Sequence, residues 1–332
     1  METIACDLCG NFDYRPYLKA RDHINKIEGI FSVVQCRACG LVYTNPRPSK
    51  TEMSAFYPAS TSYYVFTEKD LEPMKVLSGS YRSMLQYFKG YPGTKKGSRF
   101  LKALLLPYYL FKRHKFAVEA IPDYVPDGNL LEIGSAYGKF LHGMKSMGWN
   151  VQGIEMSSEA AAACKKVFDI DLICQDMDSV SFEANSFDVI VMRMVLEHVF
   201  SPAEALTKIS AWLKPAGRLI VVVPDISGAE ARLFGEWFYG LHLPNHLYHF
   251  SPETISKYLV RHGFRMEEIL HHRTDRDFVK SVDNILTEKK HLFWLRYLTK
   301  GIIRPLIKWL VCMLSAAGRT SRMTVVASKK DS

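Results

Sequence analysis

The 332-residue chain is 48% hydrophobic, enough for a buried core, and carries a formal net charge of +9 at pH 7. Seven Lys or Arg residues lie in residues 95–115 and eight in residues 289–322, with no acid in either stretch, so the excess positive charge belongs to two segments. An N-terminus without an apolar region argues against a secretory signal, and no apolar run reaches the length of a membrane-spanning helix.

Two CxxC pairs open the chain, Cys6 with Cys9 and Cys36 with Cys39, and each pair is followed by glycine. Without a secretory signal, we expect the seven cysteines of the chain to be reduced in a cytoplasm, where paired cysteines indicate metal before disulfide. Four thiolates suit a tetrahedral Zn²⁺, and glycine permits the tight turn of a zinc knuckle. We predict a structural zinc ribbon, with disulfides or free thiols as the alternative.

Residues 49–116 are predicted to form a linker and an amphipathic basic helix. The linker contains aromatic residues that either face substrate or pack on the main domain, namely Phe56, Tyr57, Tyr63, Tyr64 and Phe66. The helix reads LKALLLPYYLFKRHKF, which is too short to span a bilayer and too apolar for a solvated surface. It is predicted either to lie in the lipid headgroup region or to pack on the main domain.

The stretch NLLEIGSAYGKFL, residues 129–141, predicts a buried strand that ends in a ligand-binding turn. Gly134 and Gly138 permit positive φ angles and a close approach of the backbone, and Ala136 lies between them. The pattern differs from the GxGxxG turn that binds a pyrophosphate. Because the carboxylate of Glu132 precedes the turn, we expect a cationic ligand such as S-adenosylmethionine. An ordinary strand-to-helix turn is the alternative.

Strands and helices alternate after this turn, which predicts a parallel α/β sheet. The second strand ends at Glu155, 21 residues after Gly134, about where an acid contacts ribose hydroxyls in doubly wound folds. Asp176 follows the third strand, and its carboxylate can accept a hydrogen bond from an adenine amino group beside Met177. Strands are predicted at residues 151–155, 171–174, 185–192 and 218–223, with a helix at 202–213 and KPAG linking that helix to the last of these strands.

The segment WFYGLHLPNHLYHFSPE, residues 237–253, places three histidines among aromatic residues. Its last letters predict a helix, with Ser251 as the N-cap, Pro252 in the first turn and Glu253 near the positive end of the helix dipole. The histidines are candidates for proton transfer, or they cap loops.

About fifty residues separate a sixth predicted strand at 265–270 from the last strand at 323–327. A structureless loop of that length is unusual in a compact domain, so we predict a helical insertion. It contains HLFWLRYLTKGIIRPLIKWLVCML, in which aromatic and cationic residues suit a membrane surface. A homodimer contact is the alternative.

Five motifs, in this order and spacing, resemble class I S-adenosylmethionine-dependent methyltransferases, especially the ubiquinone-type O-methyltransferases: LLEIGSAYGKFL, VQGIEMS, QDMD, FDVIVMRMVLEHV and LKPAGRLIVVVP. The resemblance implies a seven-stranded Rossmann-like sheet whose last strand is antiparallel. It also implies contacts of Glu132, Gly134 and Gly138 with the methionine end of the cofactor, of Glu155 with the ribose, and of Asp176 and Met177 with the adenine. Ala136, Met156 and Arg193 complete the candidate cofactor set.

The cysteine-rich segment is similar to the N-terminal module of bacterial sugar-tailoring methyltransferases. Members that methylate carbon in keto-sugars carry a further C-terminal domain, for which we expect no room here, so the resemblance favours methylation of oxygen. We expect a hydroxyl of a sugar or lipid-linked glycan precursor as the acceptor. Alternatives are a quinone or other small aromatic, C-methylation of a keto-sugar, or a non-catalytic zinc-ribbon protein that binds nucleic acid. The acidic residues of the cofactor motifs argue against that last alternative.

Transfer to a neutral hydroxyl needs a group that takes the proton, and histidine is the usual one near neutral pH. Our first candidate for this base is His246, with His242 and Tyr248 next. Glu197 and His198 are expected to lie over the cofactor site as loop anchors. The predicted order is a zinc ribbon at 1–48, linker and helix at 49–116, methyltransferase core at 117–271, insertion at 272–321, and last strand and tail at 322–332. We expect a cytoplasmic protein on the membrane periphery.

Overall fold

The computed structural model describes residues 1–57, 74, 80–93, 99–301 and 303–330, and the predicted linker aromatics Tyr63, Tyr64 and Phe66 lie outside these ranges. Within them, the strands form one sheet of four strands and one of seven. The strands are β1 (Tyr14–Ala20), β2 (Phe31–Cys36), β3 (Val42–Thr44), β4 (Asn129–Ile133), β5 (Asn150–Glu155), β6 (Ile173–Cys174), β7 (Phe187–Arg193), β8 (Leu213–Pro224), β9 (Tyr248–His249), β10 (Phe264–His271) and β11 (Arg322–Lys329).

Helices connect most of these strands, and serine side chains cap the N-termini of several of them. Ser157, Ser201 and Ser251 each accept a hydrogen bond from an amide in the first turn of their helix, which confirms the predicted start at Ser251. The helices are α1 (Lys50–Met53), α2 (Ser80–Phe88), α3 (Arg99–Val118), α4 (Lys139–Ser146), α5 (Ser158–Phe168), α6 (Pro202–Trp212), α7 (Ala229–Phe234), α8 (Pro252–Arg261), α9 (Arg276–Glu288), α10 (Leu295–Lys300) and α11 (Arg304–Ala316).

The larger sheet has the strand order β10-β11-β8-β7-β4-β5-β6. Its five strands from β4 to β8 pair in parallel, and β11 runs antiparallel to both β8 and β10. This confirms the predicted doubly wound sheet of seven strands with an antiparallel last strand. Because β4 lies between β5 and β7, the strand order changes direction at β4, and ligands bind at the carboxyl edge of such a position.

The central strands of this sheet are buried on both faces, as parallel strands covered by helices require. Leu131 in β4, Val191 in β7 and Val221 in β8 have no exposed surface. Helices α4 and α5 cover one face, and Phe140 and Cys164 are among the residues that they bury there. This rigid core fixes the ends of β4, β5 and β6, where the candidate cofactor residues follow.

The smaller sheet joins the cysteine-rich segment to the main domain. Its order is β1-β2-β3-β9, and β3 pairs antiparallel with β9, with Val42 opposite His249 and Tyr43 opposite Tyr248. Strand β9 belongs to the histidine-rich segment between β8 and α8. The predicted ribbon and the predicted core therefore share one sheet.

Two predicted elements differ from the structure. The third parallel strand is predicted over four residues, but β6 contains only Ile173 and Cys174, because it lies at the sheet edge and pairs with β5 alone. The KPAG segment is predicted to link a helix to a strand, but β8 already begins at Leu213. Ala216 has a φ of 55°, and the pairing of β7 with β8 shifts register there, so KPAG forms a bulge inside the strand.

Helices α9, α10 and α11 lie between β10 and β11 in the chain, which confirms the predicted helical insertion. Both α3 and α11 pack beside β10, through an ion pair of Arg113 with Glu268 and a hydrogen bond from Ser315 to the His271 carbonyl. Among the residues that the structure describes, no helix is long and apolar enough to cross a membrane.

Candidate active site

The two glycines of the turn after β4 have no room for a side chain. Gly134 and Gly138 have φ angles of 73° and 75°. A Cβ atom on Gly134 would lie 2.4 Å from Cγ2 of Val195, and one on Gly138 would lie 2.1 Å from Sγ of Cys164. Both glycines are therefore required by packing as well as by backbone conformation. Helix α4 begins directly after the turn, as predicted, so its first amides face the carboxyl edge of the sheet.

Glu155, at the end of β5, is held by two backbone amides. Its Oε2 accepts a hydrogen bond from the Ala136 amide at 2.7 Å, and its Oε1 accepts one from the Ser157 amide at 3.0 Å. Ala136 has a φ of 46°, which is unusual for a residue with a side chain and turns its amide toward Glu155. The glycine turn and the carboxylate predicted to contact ribose are thus one assembly.

Glu132 is fully buried, and its side chain pairs with Arg193 of β7. Arg193 donates two hydrogen bonds to its Oε1, at 3.0 Å from Nε and 2.7 Å from Nη2, while Oε2 has no hydrogen-bond partner. Burial raises the pKa of the Glu132 carboxyl to about 7, and the Arg193 guanidinium opposes that rise. The sequence interpretation did not anticipate this ion pair, which fixes both candidate residues at the end of the central strands.

The predicted adenine-binding residues, Asp176 and Met177, follow β6, and the further cofactor candidate Met156 follows β5. The Oδ1 of Asp176 accepts a hydrogen bond from the Asp178 amide at 3.0 Å and so caps a short 3-10 turn over Met177–Ser179. Met177 is buried, whereas the side chain of Met156 is 70% exposed. Since β4, β5 and β6 are parallel neighbours, the structure brings Glu132, Glu155 and Asp176 to one edge of the sheet.

A cluster of three histidines and a glutamate lies beside this edge. His198 comes from the loop after β7, and His242 and His246 come from the segment before β9. The ring centroid of His246 lies 4.5 Å from that of His198 and 5.0 Å from that of His242. Oε1 of Glu197 is 3.9 Å from Nε2 of His246. We call Glu197, His198, His242 and His246 the histidine cluster.

Burial determines the protonation of this cluster. It lowers the pKa of His198 to about 4 and that of His242 to about 3, and it moves the pKa of His246 well below its ordinary value. The neighbouring histidines lower the pKa values of His242 and His246 further. Burial also raises the pKa of Glu197 to about 8. At neutral pH the three imidazoles are therefore uncharged.

The structure separates Tyr248 from the other two candidates for the base. Its hydroxyl donates a hydrogen bond to the Phe200 carbonyl at 2.9 Å and accepts one from Nη1 of Arg47 at 3.0 Å. Burial raises the pKa of this hydroxyl, which opposes ionisation. Tyr248 therefore connects the smaller sheet to the main domain. His198, which the sequence predicts as a loop anchor, lies instead with His242 and His246. In the sequence, the position of His198 directly after Glu197 is the signal for this role.

The four cysteines of the CxxC pairs converge at one end of the smaller sheet, unbonded to one another. Sγ of Cys6 lies 3.4 Å from Sγ of Cys39, Sγ of Cys9 lies 3.5 Å from Sγ of Cys36, and all four sulfurs fall within 4.8 Å. The glycine after each pair has a positive φ and closes the predicted tight turn. Four converging thiols fit a tetrahedral Zn²⁺ with no open position.

Comparisons with known proteins relate the main domain to methyltransferases. A methyltransferase domain family matches residues 105–269. An uncharacterized protein of Methanocaldococcus jannaschii is 26% identical over 37% of this chain and 58% of its own length. A ubiquinone biosynthesis O-methyltransferase of Coxiella burnetii is 28% identical over 27% of this chain and 41% of its own length. The chain thus spans about half the length of these curated relatives.

A solved structure with a similar fold is an S-adenosylmethionine-dependent methyltransferase from Mesorhizobium loti. It is 16% identical to this chain, with a TM-score of 0.45, and the alignment covers 64% of this chain and 96% of that one.

Proposed function

We propose that this chain, which contains a methyltransferase domain of the class I S-adenosylmethionine-dependent family, methylates a hydroxyl of a sugar or lipid-linked glycan precursor at a membrane surface. The observation that carries the proposal is the fixed carboxylate of Glu155. Two backbone amides hold its oxygens beside a glycine turn, at the carboxyl edge where the strand order changes direction. The histidine cluster lies next to that edge and offers uncharged imidazoles for the acceptor.

The residues at the sheet edge fit the parts of S-adenosylmethionine, which supplies an electrophilic methyl group when it is bound. Glu155 would accept hydrogen bonds from ribose hydroxyls, and Asp176 would accept one from the adenine amino group. Met177 and the exposed Met156 would give the adenine ring an apolar surface. Glu132 presents an unpartnered oxygen beside the turn, and its pairing with Arg193 keeps that oxygen in place.

The acceptor hydroxyl is proposed to bind at the histidine cluster. Nδ1 of His246 lies 2.8 Å from the Gly240 carbonyl, which places the ring proton on Nδ1 and leaves a lone pair on Nε2. The uncharged Nε2 can therefore accept a hydrogen bond from the acceptor hydroxyl. Because burial lowers the pKa of His246, this nitrogen is a weak base, which takes the proton as methyl transfer makes the hydroxyl oxygen positive and its proton strongly acidic. The protein must also hold the oxygen of the acceptor hydroxyl in line with the methyl group that is transferred.

The membrane surface is proposed from the shared position of α3 and α11 beside β10. Phe100, Leu104 and Phe111 on α3 are more than half exposed, and so are Leu306 and Trp309 on α11. Lys and Arg residues flank these side chains, and no acid lies within either helix. Apolar side chains among cations suit a helix in the plane of the lipid headgroups. Such a surface would bring the site to an acceptor held in the membrane.

A second candidate function is methylation of the hydroxyl of a quinone or other small aromatic. The name of the relative from Coxiella burnetii, a ubiquinone biosynthesis O-methyltransferase, favours it. A long-chain quinone would also lie in a membrane, so the surface of α3 and α11 fits both acceptors. The similarity of the cysteine-rich segment to modules of sugar-tailoring methyltransferases keeps the sugar acceptor first.

The experiment is an assay of methyl transfer with panels of nucleotide-linked sugars, lipid-linked sugars and quinone precursors, each with and without anionic vesicles. The proposal expects formation of S-adenosylhomocysteine with a lipid-linked sugar, and faster turnover when vesicles are present. Turnover with quinone precursors alone would replace the first candidate by the second. A chain that binds no S-adenosylmethionine would contradict both.

A further inference from the structure

The histidine cluster has the arrangement of a metal site as well as that of an acid–base site. His198, His242 and His246 each offer one ring nitrogen, and the three nitrogens lie within 4.8 Å of one another. These residues come from two loops that are more than forty positions apart in the chain. The sheet and the pairing of β9 with β3 hold both loops in place, so the cluster is set by the fold.

The outer hydrogen bonds orient two of the imidazoles as metal ligands are oriented. Nδ1 of His246 donates to the Gly240 carbonyl, and Nδ1 of His198 lies 3.0 Å from the Asn245 carbonyl. Metal-binding histidines usually donate the proton of their other nitrogen to such an oxygen, which fixes the ring and its tautomer. In both residues Nε2 keeps its lone pair.

Glu197 provides an independent observation. Its carboxyl group is fully buried, and neither of its oxygens has a hydrogen-bond partner among the described residues. Its Oε1 lies 3.9 Å from Nε2 of His246, so the carboxyl group is next to the imidazoles. A buried carboxyl group without partners is unfavourable, and a cation between it and the imidazoles would supply the missing interaction.

The geometry points to a second metal site, in which His198, His242 and His246 bind one divalent transition-metal ion with Glu197 beside it as an oxygen ligand or counter-charge. Imidazole nitrogens favour Zn²⁺, Co²⁺, Ni²⁺ or Cu²⁺ over Mg²⁺, which prefers oxygen ligands. Bonds of about 2.1 Å in a tetrahedral site put nitrogens roughly 3.4 Å apart, so the rings move together by about 1 Å on binding.

The use of this ion rests on the proposed function, although its binding does not. Three imidazoles leave an open position on a tetrahedral ion. A hydroxyl bound there would have its pKa lowered by the metal, as bound water does. His246 would then act on the acceptor through the ion. The four-cysteine site differs, because its ligand set is already complete.

The test is titration of Co²⁺ and Zn²⁺ into the full chain whose cysteine site is already loaded with zinc. We expect uptake of one further equivalent, with cobalt bands in the visible spectrum and without thiolate charge-transfer bands. Mg²⁺ at the same concentration should not compete. Uptake only with thiolate bands would overturn the proposal, because the cobalt would then lie in the cysteine site, and no uptake would overturn it as well.

Two variants locate the ion. His246→Gln and Glu197→Gln should each weaken cobalt affinity by at least tenfold or so. His272→Gln, a buried histidine outside the cluster, should leave it unchanged. Copper bound to the unmodified chain should also show hyperfine coupling to imidazole nitrogens, which needs no variant to fold. S-adenosylmethionine binding by the variants separates loss of this site from failure of the proposed function. Equal cobalt affinity in all variants, or copper without nitrogen coupling, would refute the assignment.

Discussion

Tyr43 of β3 pairs with Tyr248 of β9, so the sheet that carries the four cysteines is completed by the segment that carries His242 and His246. Thr44 strengthens the connection, because its hydroxyl donates a hydrogen bond to the His246 carbonyl at 2.8 Å. The cysteine-rich segment therefore supports the wall of the site where we place the acceptor. A structural metal bound there would have consequences beyond the segment itself.

Loss of zinc should loosen the histidine segment. We predict that Cys36→Ser removes the structural zinc and raises amide hydrogen exchange in residues 242–249, because β9 loses its partner strand. Zinc content and hydrogen exchange by mass spectrometry measure the two effects. Cys312→Ser, outside the cluster, is the control. Unchanged exchange in 242–249 after zinc loss would show that β3 stays ordered without the metal.

Removing the Glu155 carboxylate should abolish most of the affinity for S-adenosylmethionine. Hydrogen bonds to a charged group contribute about 1.5 to 3 kcal/mol, so Glu155→Ala is expected to weaken binding roughly tenfold to hundredfold. Calorimetric titration gives the affinity directly. Asp171→Ala removes an exposed carboxylate before β6 and should leave binding unchanged. Equal affinities in both variants would mean that Glu155 only braces the turn.

A methyl group at Gly138 should be costly, because it has both a positive φ and the sulfur of Cys164 in its way. Gly90 has a φ of 77°, close to the 75° of Gly138, and its Cβ position lies 3.8 Å from the nearest atom, an ordinary contact, so Gly90→Ala reports the effect of a positive φ without a steric clash. We expect Gly138→Ala to lower the free energy of unfolding by about 1 to 3 kcal/mol more than Gly90→Ala does. Chemical unfolding of both variants tests this, and similar losses would argue against the steric reason.

The stability of the chain should depend on pH through Glu132. Burial raises the pKa of its carboxyl from 4.5 to about 7, so the native state keeps this proton where the unfolded state has lost it. Relative to Glu132→Gln, the unmodified chain should therefore be most stable below about pH 4.5. It should lose on the order of 1 to 3 kcal/mol as the pH rises through about 7. Unfolding at a series of pH values measures the difference. A difference that stays constant would mean that Glu132 is ionised throughout, held by Arg193.

The exposed residues of α11 should anchor the chain to anionic vesicles. We predict that Leu306→Glu combined with Trp309→Glu reduces vesicle co-sedimentation at least severalfold, because it places two negative charges in the headgroup region. Leu233→Glu changes an equally exposed leucine on α7 and is the control. If the double variant instead alters the mass in solution and leaves vesicle binding intact, the surface is a dimer contact.

The sheet and its edge were predictable because parallel strands leave a strong pattern. Buried apolar runs that each end in an acid place Glu132, Glu155 and Asp176 at neighbouring strand ends, and the structure has them there. The pairing of Glu132 with Arg193 was not predictable, since it depends on the register of β4 against β7.

The acceptor side was only partly predictable, because its contacts join distant parts of the chain. The density of histidines before β9 indicated a site. Tyr248 was included because it lies near the histidines in the sequence, but its hydroxyl contacts Arg47 and Phe200 instead. The fold instead places His198, from the loop after β7, next to His246. No local pattern encodes the pairing of β3 with β9, which is two residues long.

Methyl transfer to a sugar hydroxyl can be observed by mass spectrometry of a lipid-linked sugar after incubation with the chain, anionic vesicles and S-adenosylmethionine carrying a deuterated methyl group. The account predicts a labelled methyl ether on a sugar hydroxyl, formed by the unmodified chain and lost in Glu155→Ala. Cofactor binding with no labelled product from any hydroxyl acceptor, or a label attached to carbon, would contradict it.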